Sequence, residues 1–162
     1  MEAHRFPFVH TLRVRYSEID GQKIVYNAHY LTYLDLAITE YFRNIGIAFV
    51  EAQEFDIALV KATLEYKRPA RLDDWLDIHV SVPRLGNSSF TGRFRISPHD
   101  RPGADDAHME AENVYVSVTE EGRSRPIPGW IRERIAAVER TADGPLTGRH
   151  GDAEDDRAQA RG

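Results

Sequence analysis

Residues 16–30 read YSEIDGQKIVYNAHY, and one carboxylate among them, Asp20, stands just ahead of a stretch with helical periodicity. An acid in a loop that feeds a helix lies beside unpaired backbone N–H groups, which carry about half a positive charge between them. In acyl transfer such donors hold the oxyanion of a tetrahedral intermediate, each worth about 10² to 10³ in rate, while the acid serves as general base or nucleophile. The same residue type ahead of a helix also caps the following turn with no chemistry at all. Both readings stand on residue type and position alone.

Other chemistry is poorly supplied. The chain has no G-x-S-x-G, no glycine-rich phosphate loop and no H-E-x-x-H. Its seven histidines, His4, His10, His29, His79, His99, His108 and His150, form no H-x-H or H-x3-H pair, so no metal site is expected. With 0 cysteines there is no thiolate ligand, cysteine nucleophile or disulfide, a usage that suits a reducing cytoplasm. A net charge of -5 argues against nucleic acid as a partner. Three lysines, Lys23, Lys61 and Lys67, leave 18 arginines among the 21 basic residues, and these can grip phosphate locally. Apolar runs such as Ile57-Ala58-Leu59-Val60 fall far short of the ~20 residues of a membrane span, and Met1 to Pro7 hold no apolar signal core.

Elements that could position Asp20 follow from hydrophobic period. The length, 162 residues, fits about one domain. Phe8, His10, Leu12, Val14 and Tyr16 alternate with Val9, Thr11, Arg13 and Arg15, which predicts a strand with one face on a core. Across residues 28–46 the period becomes helical: Tyr30, Leu31, Leu34, Ala37, Ile38, Tyr41, Phe42 and Ile45 share one broad face, and Gly46 sits where a C-terminal glycine belongs. Period two then returns. Ala58, Val60, Ala62, Leu64 and Tyr66 form one run, ended by Pro69; Leu76, Ile78, Val80 and Val82 a second, stopped by Pro83; Phe90, Gly92, Phe94 and Ile96 a third. Val114, Val116 and Val118 alternate with Tyr115 and Ser117 in a fourth, from near His108. One strand, a long helix, then four strands joined mostly by short turns predict an α+β domain, an antiparallel sheet curled over one buried helix. The polar text of residues 141–162 cannot offset its ordering entropy and is expected to be a disordered tail on a domain of residues 1–140.

The segment RVRYSEIDGQKIVYNAHYLTYLD, followed by AITEYFRNIG, resembles the opening of hotdog-fold acyl-CoA thioesterases of the 4-hydroxybenzoyl-CoA thioesterase type. The RLGNSS turn and the PIP at Pro126 to Pro128 fit the same family. The resemblance implies a five-stranded antiparallel sheet wrapped around one long central helix, edge-to-edge homodimers that can build tetramers, and hydrolysis of acyl-CoA to free acid and CoA without metal or organic cofactor. By position Asp20 matches the catalytic aspartate, and Asn27 the backbone N–H that polarises the thioester carbonyl. Tyr16 matches a tyrosine of the subgroup acting on short and aliphatic acyl-CoAs. Val25, Tyr26 and Tyr30 are the further substrate-lining candidates, and Lys61, Lys67, Arg68 and Arg84 the candidates for the CoA phosphates, with Arg93 and Arg95 beside them. Two positions depart from the pattern: Lys23 where glycine is usual, and Asn27 where histidine or tyrosine is. A non-catalytic acyl-CoA or carrier-protein binder, and a 3-hydroxyacyl-thioester dehydratase, are the alternatives.

Overall fold

The computed structural model describes residues 6–49, 55–102, 105–141 and 146–147. In chain order they form β1 (Phe8–Arg13), a 3-10 turn (Tyr16–Glu18), α1 (His29–Asn44), β2 (Asp56–Tyr66), β3 (Trp75–Leu85), β4 (Ser89–Pro98), β5 (Met109–Val118), α2 (Gly129–Glu139) and β6 (Leu146–Thr147). The sheet order is β2-β5-β4-β3-β1-β6. The five expected strands pair antiparallel, whereas β6 adds a two-residue parallel rung beside β1. That rung falls inside the stretch expected to be a tail; residues 142–145 and 148–162 of it lie outside the described residues.

The sheet wraps α1 because the helix is apolar over most of its circumference. Tyr30, Tyr33, Leu34, Ala37, Ile38, Tyr41 and Phe42 are all buried, and Leu34, Ile38 and Phe42 each contribute about 1.5 to 3 kcal/mol of transfer free energy. The expected face differs at two places: Tyr33 is buried and Leu31 is exposed, because the cradle of the sheet meets the helix slightly to one side of the predicted stripe. At the C-terminus Gly46 has φ 84, and its N–H donates to Arg43 O while Ile47 N–H donates to Phe42 O, a Schellman closure that needs the left-handed glycine.

Alternation places β3 and β4 correctly, with Leu76, Ile78, Val80, Val82, Phe90, Phe94 and Ile96 in the core. Two other expectations fail, and two strands take an orientation that alternation left open. The first strand ends at Arg13, so Tyr16 sits in the 3-10 turn at 80% exposure instead of on a core face. In β2 the register shifts between Leu59 and Lys61, a bulge that throws Ala58 and Val60 off the helix side and leaves Val60 59% exposed. Pro83 does not stop β3, which runs to Leu85 with its own irregularity between Ser81 and Arg84, where a missing ladder donor does no harm. In β5 the core face is Met109, Ala111, Asn113, Tyr115 and Ser117, and the three valines look outward; Tyr115 stacks on Phe90, with ring centroids 5.0 Å apart.

The sequence reading also missed α2. Ile131 and Ile135 bury its inner face, and Arg134 donates to the carbonyls of Ile45 and Gly46 at 3.0 and 3.2 Å, capping the end of α1.

Candidate active site

Residues 18–26 double back as a small hairpin: Tyr26 N–H donates to Glu18 O and Asp20 N–H to Ile24 O, both at 2.9 Å. At its tip Lys23 N–H donates to Asp20 O at 2.9 Å, and Gln22 N–H donates to Asp20 Oδ1 at 2.8 Å. Asp20 therefore closes an Asx turn with one carboxylate oxygen. Its Oδ2 has no hydrogen-bond partner among the described residues. Lys23 takes φ 63, the left-handed conformation that glycine adopts at no steric cost, so the loop keeps a glycine-type turn and the lysine carries the strain.

The hairpin leads directly into α1. Asn27 follows Ile24, the residue facing Asp20, by three positions, about 10 Å of chain. No side chain caps α1 and its first turn holds no acidic residue, a helix start of the kind that binds anions, with His29 N–H itself taken by Tyr26 O at 2.9 Å. Tyr66, at the end of β2, donates its hydroxyl to Asn27 O at 2.8 Å and fixes the peptide that starts the helix.

Buried groups hold the loop from behind. Glu18 is 5% exposed; it accepts Arg15 N–H at 2.8 Å, the Arg15 guanidinium at 2.9 and 3.1 Å, and the Tyr33 hydroxyl at 2.9 Å. Burial pushes its carboxyl upward, but these donors and the arginine charge outweigh burial and leave it below the usual carboxylate range. Ala70, in the link between β2 and β3, donates to the Tyr30 hydroxyl at 3.1 Å and accepts Val25 N–H at 2.9 Å. The side chains of Val25 and Tyr30 are thus buried supports of the loop, while Tyr16, Tyr26 and Asn27 are exposed. Glu18 and Tyr66 were missed by sequence reasoning, and Tyr33, a candidate for the acyl pocket beside Tyr26 and Tyr30, is instead a buried donor to Glu18. The one available signal for Glu18 was Arg15 three residues before it, the spacing of a capping pair.

Of the four phosphate candidates, Lys67 and Arg68 directly follow Tyr66 and so lie near the start of α1. Lys67 pairs with Glu110 at 3.6 Å, and Arg68 with Asp106 at 3.2 Å. Lys61 stands exposed on β2. Arg84 lies nine residues along β3 from Trp75, the end nearer Asp20, which places it about 30 Å of strand away. Among the described residues no group of three or more His, Cys, Asp or Glu could hold a metal ion, and no helix is long and apolar enough to cross a membrane.

The sequence model of the thioesterase superfamily matches residues 22–102. The chain belongs to this superfamily. Its matched region begins two residues after Asp20. A thioesterase from Thermus thermophilus, solved in complex with coenzyme A and Zn, is 30% identical and superposes with a TM-score of 0.71 over 86% of this chain and 97% of that one. A putative esterase of Aquifex aeolicus is 29% identical over 96 residues, 58% of this chain and 75% of that protein. The acyl-CoA thioester hydrolase YbgC of Escherichia coli is 33% identical over 87 residues, 52% of this chain and 65% of that protein. With the sheet-and-helix architecture above, the superfamily member is a hotdog-fold thioester hydrolase.

Proposed function

We propose that the protein hydrolyses acyl-CoA to a free carboxylic acid and CoA, with Asp20 as the reacting carboxylate. The observation that carries this reading is the free Oδ2 of Asp20, held in a turn by its sister oxygen and delivered by a short hairpin to an uncapped 16-residue helix. In this scheme the thioester carbonyl oxygen rests on the first-turn amides around Asn27, and charge that develops on it meets preorganised donors. Asp20 Oδ2 either takes a proton from the attacking water or attacks the carbonyl carbon itself, giving an anhydride that water then opens. On both routes the C–S bond breaks, the thiolate of CoA leaves and picks up a proton, and the acyl carbon gains a water oxygen.

In this reading Lys67 and Arg68 meet the phosphates of CoA, and Tyr16 and Tyr26 border the acyl group. The protein acts as a homodimer or homotetramer built through its sheet edge, without nucleic acid, membrane, metal or organic cofactor, in the cytoplasm. β2 supports the edge contact, since its eleven residues are exposed or half-buried at the rim of the sheet. The test is release of free thiol from short, long and aromatic acyl-CoAs and from an acyl carrier protein thioester. Catalytic release from at least one acyl-CoA is the expected result; a folded protein that binds acyl-CoA and releases no thiol overturns the reading.

A further inference from the structure

We infer that Asn113 ends the acyl groove and selects a medium-length aliphatic acyl chain with a hydroxyl at its far end. The inference rests on the thioesterase reading above and names the substrate class of that site. Asn113 is 1% exposed on the helix side of β5; its Nδ2 donates to the Tyr115 hydroxyl at 3.1 Å, and its Oδ1 has no hydrogen-bond partner among the described residues. Turning the amide over frees the nitrogen instead, because the Tyr115 hydroxyl donates as well as accepts. One end stays unpaired in either setting, and a buried polar group of this kind calls for a partner.

The amide lies on a path that starts at the candidate site. Tyr66 opposes Met109 in the register and holds the Asn27 carbonyl, and Tyr30 of α1 packs on it with ring centroids 5.5 Å apart. Toward the other end of α1, Phe42 packs on Phe90 at 5.5 Å, and Phe90 stacks on Tyr115. Helix α1 therefore runs along β5 in the same direction, and Asn113, four residues past Met109, stands about 13 Å beyond the helix start. Leu31 precedes Phe42 by eleven residues, about three helical turns, so both look toward the β2, β5 and β4 side of the sheet. Leu31 is exposed, as are Leu59, Ala62 and Tyr66 on the helix side of β2. Between helix and strand an open apolar groove runs from Asn27 to the level of Asn113.

Small residues flank the amide, Gly92 on β4 and Ala62 on β2. A Cβ on Gly92 would come 3.1 to 3.3 Å from the Phe94 and Tyr115 rings, so that side is filled, whereas Ala62 opens on the groove. A chain end passing Ala62, with the half-buried Leu64 side chain turned aside, reaches the amide. Burial pushes the Tyr115 hydroxyl up to about 12, so the pair is neutral and suits a hydroxyl better than a charged end group. A hydroxyl both donates and accepts, and so meets whichever end of the amide is free. At about 1.2 Å per bond, the path is about ten or eleven bonds, the length of a 10-hydroxydecanoyl chain. A hydroxyl on a single aromatic ring stands about five bonds out and falls short. The other unpaired buried side-chain atom among the described residues, Ser117 Oγ, lies two positions further along β5, beyond this reach.

The test is kcat/KM, by thiol release, for decanoyl-CoA, 10-hydroxydecanoyl-CoA and butanoyl-CoA. Wild type is expected to favour the hydroxylated chain over decanoyl-CoA by about tenfold to a hundredfold, the range set by leaving a buried polar group unpaired. Asn113→Leu is expected to bring that ratio to about one or below, whereas a merely structural loss would lower all three substrates alike. Ala62→Leu, a change at an exposed position, should lower both ten-carbon substrates about tenfold relative to butanoyl-CoA by crowding the way in. Equal kcat/KM for the two ten-carbon chains in wild type, or a preference that survives Asn113→Leu, overturns the inference. An Ala62→Leu variant that keeps its substrate ratios and loses self-association in sedimentation equilibrium also overturns it, because a second copy then covers the groove. Release from short or aromatic acyl-CoAs alone overturns it and leaves the thioesterase reading standing; release from no acyl-CoA removes that reading as well.

Discussion

Two tyrosines eight residues apart on α1 each donate to a carboxylate, yet the two pairs are built differently. Tyr33 donates to Glu18 at 2.9 Å beside the candidate site, and Tyr41 donates to Glu139 at 2.8 Å where α2 meets the sheet. Glu18 also receives the Arg15 guanidinium, and its carboxyl falls below the usual range despite burial. Glu139 receives Val82 N–H at 2.7 Å but no cation among the described residues, so burial prevails and its carboxyl rises. Both tyrosine hydroxyls are pushed well up, by burial first and the neighbouring carboxylate second. One end of the helix is therefore held by a fixed charge and the other by a carboxyl that folding drives toward neutrality. The fixed charge stands at the end that carries the Asp20 hairpin.

Removing each anchor separates stability from chemistry. Glu18→Ala should lower turnover about 100-fold, because the Asp20 hairpin loses its backing and small displacements of a reacting group cost rates of that order. It should also lower unfolding free energy by about 2 to 3 kcal/mol in urea denaturation. Glu139→Ala should cost about 1 to 2 kcal/mol through the unpaired Tyr41 hydroxyl and Val82 amide, with kcat held within about twofold. Equal losses of turnover in the two variants would erase the distinction between the ends.

Acid should separate them further. The folded-state carboxyl of Glu18 lies below its unfolded value, so its stabilisation is full above about pH 4.5 and fades as pH falls through the lower folded value. The penalty of Glu18→Gln should accordingly shrink between pH 7 and pH 3. Glu139 has the opposite sign, costing stability as pH rises through its raised value, so Glu139→Gln should be nearly neutral or stabilising at pH 7. The smallest effect belongs to Lys23→Gly, which relieves φ 63 and should stabilise by about 0.5 to 1 kcal/mol with turnover unchanged. Destabilisation there would show that the lysine side chain supports the loop.

Why the helix, its glycine stop and the two central strands could be read in advance is plain from their periods. Leu76 to Val82 and Phe90 to Ile96 are apolar on one face only, so alternation assigns the face. Val114 to Val118 and Tyr115 offered two apolar faces, and β2 carries a bulge; in both, period two locates a strand without orienting it. Tyr16 was misplaced because a local hydrogen-bond network around Glu18, invisible to periodicity, turns the chain out of the sheet. At the site, Asp20 and Asn27 were legible as a carboxylate ahead of a helix and through the family likeness. Glu18, Tyr33, Tyr66 and Ala70 support it through contacts 15 to 45 residues apart in sequence, for which local pattern holds no signal.

The most direct test of the account is thiol release from the preferred acyl-CoA by wild type and Asp20→Asn, with thermal denaturation run on both. Asparagine keeps the oxygen that Gln22 N–H holds and removes the carboxylate proposed to react. The account predicts an unchanged melting temperature and turnover lower by about 10² to 10⁴. An Asp20→Asn enzyme that folds normally and keeps full turnover would contradict it and reduce Asp20 to a cap on its turn.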